Sequence, residues 1–78
     1  MKAVKIEKDL FGNVCLVYAE DLDTQYKIYQ AQGGWFVREE GEKNIQGPYP
    51  TQEKVVEEAV RKLYSEAVHL EFFYQGLN

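Results

Sequence analysis

One cysteine, Cys15, and one histidine, His69, are all that the 78 residues contain of the side chains that staple small domains. A lone thiol excludes an intramolecular disulfide, and one His with one Cys leaves no nitrogen and sulfur set for a zinc-type site. No apolar run approaches the roughly 20 residues that a membrane-spanning helix needs. The opening Met1-Lys2-Ala3-Val4-Lys5-Ile6-Glu7-Lys8 lacks the apolar stretch of a secretory leader, so a cytoplasmic location is expected. Basic residues are also scarce. With 9 Lys and Arg against 13 Asp and Glu the net charge is −4, which disfavours duplex binding, because that binding draws its affinity from cations neutralising phosphates. A basic partner is permitted and an acidic one disfavoured.

What remains is a globular composition, 45% hydrophobic and 28% charged, well clear of the regime in which chains stay disordered. The length allows one domain, residues 1–78. A chain of this size buries only about 60% of its unfolded surface, so its own core supplies a few kcal/mol. With disulfide and metal excluded, a partner subunit is the expected staple and a homodimer the expected state.

Residues 2–40 read as strands and turns. Val4-Lys5-Ile6-Glu7 alternates as a half-buried strand should and ends at the turn residues Phe11-Gly12-Asn13. Val14–Ala19 is a second strand, in which strict alternation puts Val14, Leu16 and Tyr18 on one face. Glu20-Asp21-Leu22-Asp23 is a turn. Residues 24–32 and 35–38 form a hairpin, and a Gly33-Gly34 loop sets Tyr29 opposite Arg38 and Lys27 opposite Glu40. The pleat then gives a core face of Tyr26, Ile28, Trp35 and Val37, and an open face of Tyr29, Ala31, Phe36 and Arg38. Residues 41–50, with Gly41, Asn44, Gly47, Pro48 and Pro50, read as a loop.

Thr51 is the natural cap of a helix over about 51–75, with Glu53, Glu57 and Glu58 in its first turns, where the helix dipole favours negative charge. Val56, Val60, Leu63, Ala67, Leu70 and Tyr74 recur at helical spacing. Val68, Leu70, Phe72 and Tyr74 also alternate, so a break near Ser65 followed by a final strand stays open. The expected fold is α+β: a three- to four-stranded antiparallel sheet with one long C-terminal helix on one face. A helix of that length, about 37 Å, outruns strands of about 23 Å. Its far end, Leu70, Phe72, Phe73 and Tyr74, is therefore assigned to a dimer contact.

Catalytic parts are few. Cys15 and His69 are far apart in sequence and lack a third group to orient them. The carboxylates Glu20, Asp21, Asp23, Glu39, Glu40 and Glu42 sit in turn-like contexts that keep them hydrated. The turn at Glu20 lacks the spacing and glycine of a calcium loop. No cofactor, no metal and no enzymatic activity are expected. Tyr29, Phe36 and Arg38 on one sheet face have the composition of protein-interface hot spots, and the six turn carboxylates would rim them. The expected function is a small acidic module that binds another protein, one with a basic surface, by occupying that surface. Small size, acidity and the lack of catalytic parts are similar in type to phage-encoded inhibitors of bacterial defence nucleases, including anti-CRISPR proteins. That resemblance implies carboxylates standing where phosphates sit, and it carries over no residue. Aromatics beside Arg also form platforms for single-stranded nucleic acid, the third reading.

Overall fold

The computed structural model describes the backbone of residues 3–76 and the side chains of residues 3–67. Five strands, β1 (Val4–Lys8), β2 (Val14–Ala19), β3 (Gln25–Ala31), β4 (Gly34–Glu39) and β5 (Ile45–Tyr49), precede one helix, α1 (Gln52–Gly76). The strands form a single antiparallel meander in the order β1-β2-β3-β4-β5, with α1 packed across one face. The α+β architecture is as expected, but the sheet has five strands rather than three or four. The fifth lies in the segment read as a loop. β5 is an edge strand, where the missing N–H of Pro48 leaves no inner ladder unmade, so a proline that argues against a central strand is tolerated there.

Asp9 organises the β1–β2 turn. Its carboxylate accepts the backbone N–H of Phe11 at 2.8 Å and of Asn13 at 3.0 Å. The β3–β4 hairpin turns at Gln32-Gly33, not Gly33-Gly34: Ala31 pairs with Gly34, Tyr29 with Phe36, Ile28 with Val37 and Lys27 with Arg38. This differs from the expected register by two residues. Two is the period of the pleat, so every side chain keeps its assigned face while its cross-strand partner changes.

β2 departs from strict alternation. Glu7 pairs with Leu16 and Lys8 with Val14, so Cys15 is an extra residue that bulges out of the ladder. The bulge turns Val14 to the side of Val17 and Ala19, and all three are buried beneath the helix. Val14 therefore does not share a face with Leu16 and Tyr18.

The helix starts where Thr51 caps it, its Oγ1 accepting the Lys54 N–H at 3.1 Å and its carbonyl the Val55 N–H at 3.2 Å. Its buried stripe is Val55, Ala59, Leu63 and Ala67, one position off the expected Val56 and Val60, which are only partly covered. Ala59 explains the offset, because a methyl side chain lets the helix axis approach the sheet. At the N-terminal end, the Gln52 side chain ties helix to sheet, accepting the Val14 N–H at 3.0 Å and donating to Asn13 Oδ1 at 3.2 Å. Farther along, the Thr24 hydroxyl donates to Glu66. On the exposed side Arg61 pairs with Glu58 at 2.6 Å. The backbone stays helical to Gly76, so residues 66–75 continue the helix and form no final strand. The side chains of Leu70, Phe72, Phe73 and Tyr74, assigned above to a dimer contact, lie outside the described residues, as does that of His69. No helix is long and apolar enough to cross a membrane, among the described residues.

Candidate functional site: the open face of the sheet

The helix takes one face of the sheet and leaves the other free. Because the strands are in register, the open face has rows. Glu7, Leu16, Lys27, Arg38 and Ile45 stand side by side from β1 to β5. Lys5, Tyr18 and Gln25 form the row toward the β2–β3 turn, which Glu40 extends through its N–H bond to the Gln25 carbonyl at 2.8 Å. Tyr29 and Phe36 form the row on the other side.

Tyr29 and Phe36 are cross-strand neighbours whose rings stack with centroids 5.7 Å apart and planes 17° from parallel. Such offset pairs are worth about 0.5 to 1.5 kcal/mol beyond the area they bury. Gly47 of β5 keeps the other side of Phe36 clear. A Cβ on Gly47 would stand 2.8 Å from the Phe36 ring and 2.6 Å from the Trp35 carbonyl oxygen. Glycine at that position is thus what allows β5 to lie close under the aromatic pair.

Arg38 lies two residues along the same strand face from Phe36. Its Nε is buried and has no hydrogen-bond partner, among the described residues. Directly across stands Lys27, a like charge, and the Lys27 ammonium pairs instead with Glu40 on the diagonal at 3.6 Å. An N–H shielded from water and left without an acceptor is costly, and the adjacent cation adds repulsion. Sequence reasoning placed Arg38 on this face but set Tyr29 opposite it, so this clash of charges was not foreseen.

The acidic residues fall at one end of the sheet. In an antiparallel meander the β2–β3 and β4–β5 turns lie on the same side, which brings Glu20, Asp21 and Asp23 next to Glu40 and Glu42. They do not all point to the open face. Glu20 pairs with Lys5 at 3.6 Å, and Glu39 is turned to the helix side against the Tyr26 phenol. Burial first, and then the carboxylates of Glu39 and Glu66, push that phenol up to about 12. The folded chain therefore holds the Tyr26 proton more tightly than the unfolded chain, whose phenol titrates near 10. Its contribution to stability is complete below pH 10 and is lost as pH rises through about 12. Thermal melts from pH 9 to 12 should show a falling midpoint, and Tyr26→Phe should flatten that decline, on the order of the shift of one titrating group. An equally steep fall in the variant would assign the alkaline loss elsewhere.

Cys15, at the bulge, is half-buried and points its thiol at the Glu7 carbonyl, 3.5 Å away. Two surfaces escaped sequence reasoning. Leu10 and Phe11, 102% and 88% exposed, project from the Asp9-ordered turn. Beside them a groove of about 640 Å³ runs between the helix and the β1–β2 end of the sheet, with Val14, Val56 and Val60 on its walls and Lys8 and Arg61 at its rim. The valine doublet at 55–56 was the available signal, since only one of the pair can point straight at the sheet.

Comparison with curated proteins and with solved structures gives no match. A family model described as "Uncharacterized protein conserved in bacteria (DUF2188)" matches residues 26–76, from β3 through the end of α1 and about two thirds of the chain, and the protein belongs to that family.

Proposed function

We propose that this chain is a non-catalytic protein-binding module that acts by surface occupation, with the open sheet face as its contact. The observation that carries the reading is Arg38: a shielded Nε without a partner among the described residues, on a residue set directly across the strand from Lys27 and beside a stacked Tyr29–Phe36 pair. An acceptor from a partner would satisfy that donor and relieve the repulsion, while the aromatic pair supplies flat apolar area at little entropic cost. The acidic end of the sheet, Glu20, Asp21, Asp23, Glu40 and Glu42, gives the partner's basic residues something to meet and steers the encounter. The partner is thus a protein carrying both a basic patch and an exposed acceptor. The reading includes a homodimer, for the reason of size given above.

Purified protein coupled to resin and offered a bacterial extract should retain one dominant species. Phe36→Ala and Arg38→Ala should each lower retention by about tenfold or more, as loss of a hot-spot contact does. Glu57→Ala, on the exposed side of the helix, should change nothing. Equal retention by all four proteins would exclude the open face as the contact.

A second reading, inhibition of a nucleic-acid-binding defence complex by phosphate mimicry, is favoured by the gathering of both acidic turns at one end. It predicts retention that weakens steeply with salt. The single-strand reading predicts that a labelled oligonucleotide binds and that Tyr29→Ala and Phe36→Ala release it. No binding by the wild type would dispose of it.

A further inference from the structure

We infer that β1 is a docking edge for a second copy of this chain, pairing antiparallel with its own counterpart across a two-fold axis at Ile6 to make one continuous ten-stranded sheet. The sheet has two edges and they are unlike. On β5 the edge is blunted by Pro48, which has no N–H to offer, and by a shift of register against β4. β1 contains neither proline nor glycine and has β2 on one side only.

The strand is complementary to itself. Reversed about Ile6, the sequence Val4-Lys5-Ile6-Glu7-Lys8 sets Ile6 against Ile6 and Lys5 against Glu7 twice, once on each side of the axis. Opposite charges directly across an antiparallel pair are attractive, and like charges are not. The side-chain directions agree with this. Ile6, opposite buried Val17, lies on the helix side of the sheet, yet it is 46% exposed because the helix packs over β2 to β5. Pairing of two β1 strands covers both isoleucines beside the apolar groove at Val56 and Val60. Lys5 and Glu7 point to the open face, where they have room to meet their counterparts. In the isolated chain Lys5 stands 3.6 Å from Glu20, and Glu7 accepts the Tyr18 hydroxyl at 3.3 Å, so each group has a modest local partner to share.

Five residue pairs bury less surface than the roughly 1,200 Å² of a standard stable interface. The dimer is therefore concentration-dependent. It leaves Tyr29, Phe36 and Arg38 uncovered, and so it stands or falls separately from the open-face reading.

A charge-swap series tests it by sedimentation velocity over a range of concentrations, with circular dichroism to confirm that each variant folds. The wild type should dimerise. Lys5→Glu places carboxylates opposite carboxylates, and Glu7→Lys places ammoniums opposite ammoniums. Each should raise the dissociation constant by about tenfold or more. The double variant carrying both swaps should dimerise again, and an equimolar mixture of the two single variants should form a heterodimer that neither forms alone. Phe73→Asp should have no effect. A wild type that stays monomeric throughout, a dimer indifferent to the swaps, single variants whose mixture fails to associate, or dissociation by Phe73→Asp alone would each overturn the inference.

Discussion

Leu63→Ala is expected to cost roughly 2 to 5 kcal/mol, enough to bring the domain to the margin of unfolding. Leu63 is the largest completely buried side chain among the described residues, and it belongs to one buried cluster with Val17, Ile28 and Val37 of the sheet and Val55 and Ala59 of its own helix. Truncation to alanine removes apolar atoms worth about 0.8 kcal/mol per methylene, and the void they leave adds a comparable term, because strands and helix close-packed on either side collapse only partly. The whole domain has a few kcal/mol to lose. Urea denaturation should show the midpoint fall sharply with the slope unchanged, whereas Val60→Ala, on the wall of the groove and only partly buried, should shift it by much less. Comparable losses at the two positions would mean that the helix presents a different stripe to the sheet.

Gly47→Ala should have the second large effect, and its consequence reaches the candidate site. Gly47 has φ +138°, a backbone conformation that side chains rarely adopt, and the added methyl would press on the Trp35 carbonyl and the Phe36 ring. Backbone cannot give way as a flexible side chain can, so β5 must move off β4. Overpacking of this kind costs about 1 to 3 kcal/mol, with a further one or two from the strained φ. Displacement of Phe36 also breaks its stack on Tyr29. Gly47→Ala should therefore lower both the unfolding midpoint and retention of the partner, while Gly41→Ala, with a strained φ of +90° but open space around it, should lower stability alone. Binding unaffected by Gly47→Ala would detach Phe36 from the contact.

What could be read in advance follows from how robust each signal is to small errors. The faces of β3 and β4 were legible because the pleat repeats every two residues, and a register wrong by two preserves them. Pairings have no such protection, so the Lys27–Arg38 juxtaposition, the most telling feature of the site, was out of reach. The cap at Thr51 was legible because its chemistry is local. β5 was not, because Gly47 and Pro48 are loop residues everywhere except on an edge strand. The bulge at Cys15 carries no glycine to announce it, and it alone sends Val14 into the core. The helix stripe was legible at Leu63 and Ala67 but misplaced by one position at Val56 and Val60, because hydrophobicity favours Val60 over Ala59 whereas close packing on a sheet favours the smaller residue.

On the function proposed above, the face opposite the helix meets a foreign protein. The most direct measurement replaces Tyr29 with a photo-crosslinking phenylalanine derivative, which keeps an aromatic ring against Phe36, and replaces Glu57 with the same derivative as a control. Irradiation in bacterial cells followed by mass analysis should give one heavier adduct from position 29, containing a basic foreign protein, and none from position 57. Adducts from neither position, or the same adducts from both, would contradict the claim.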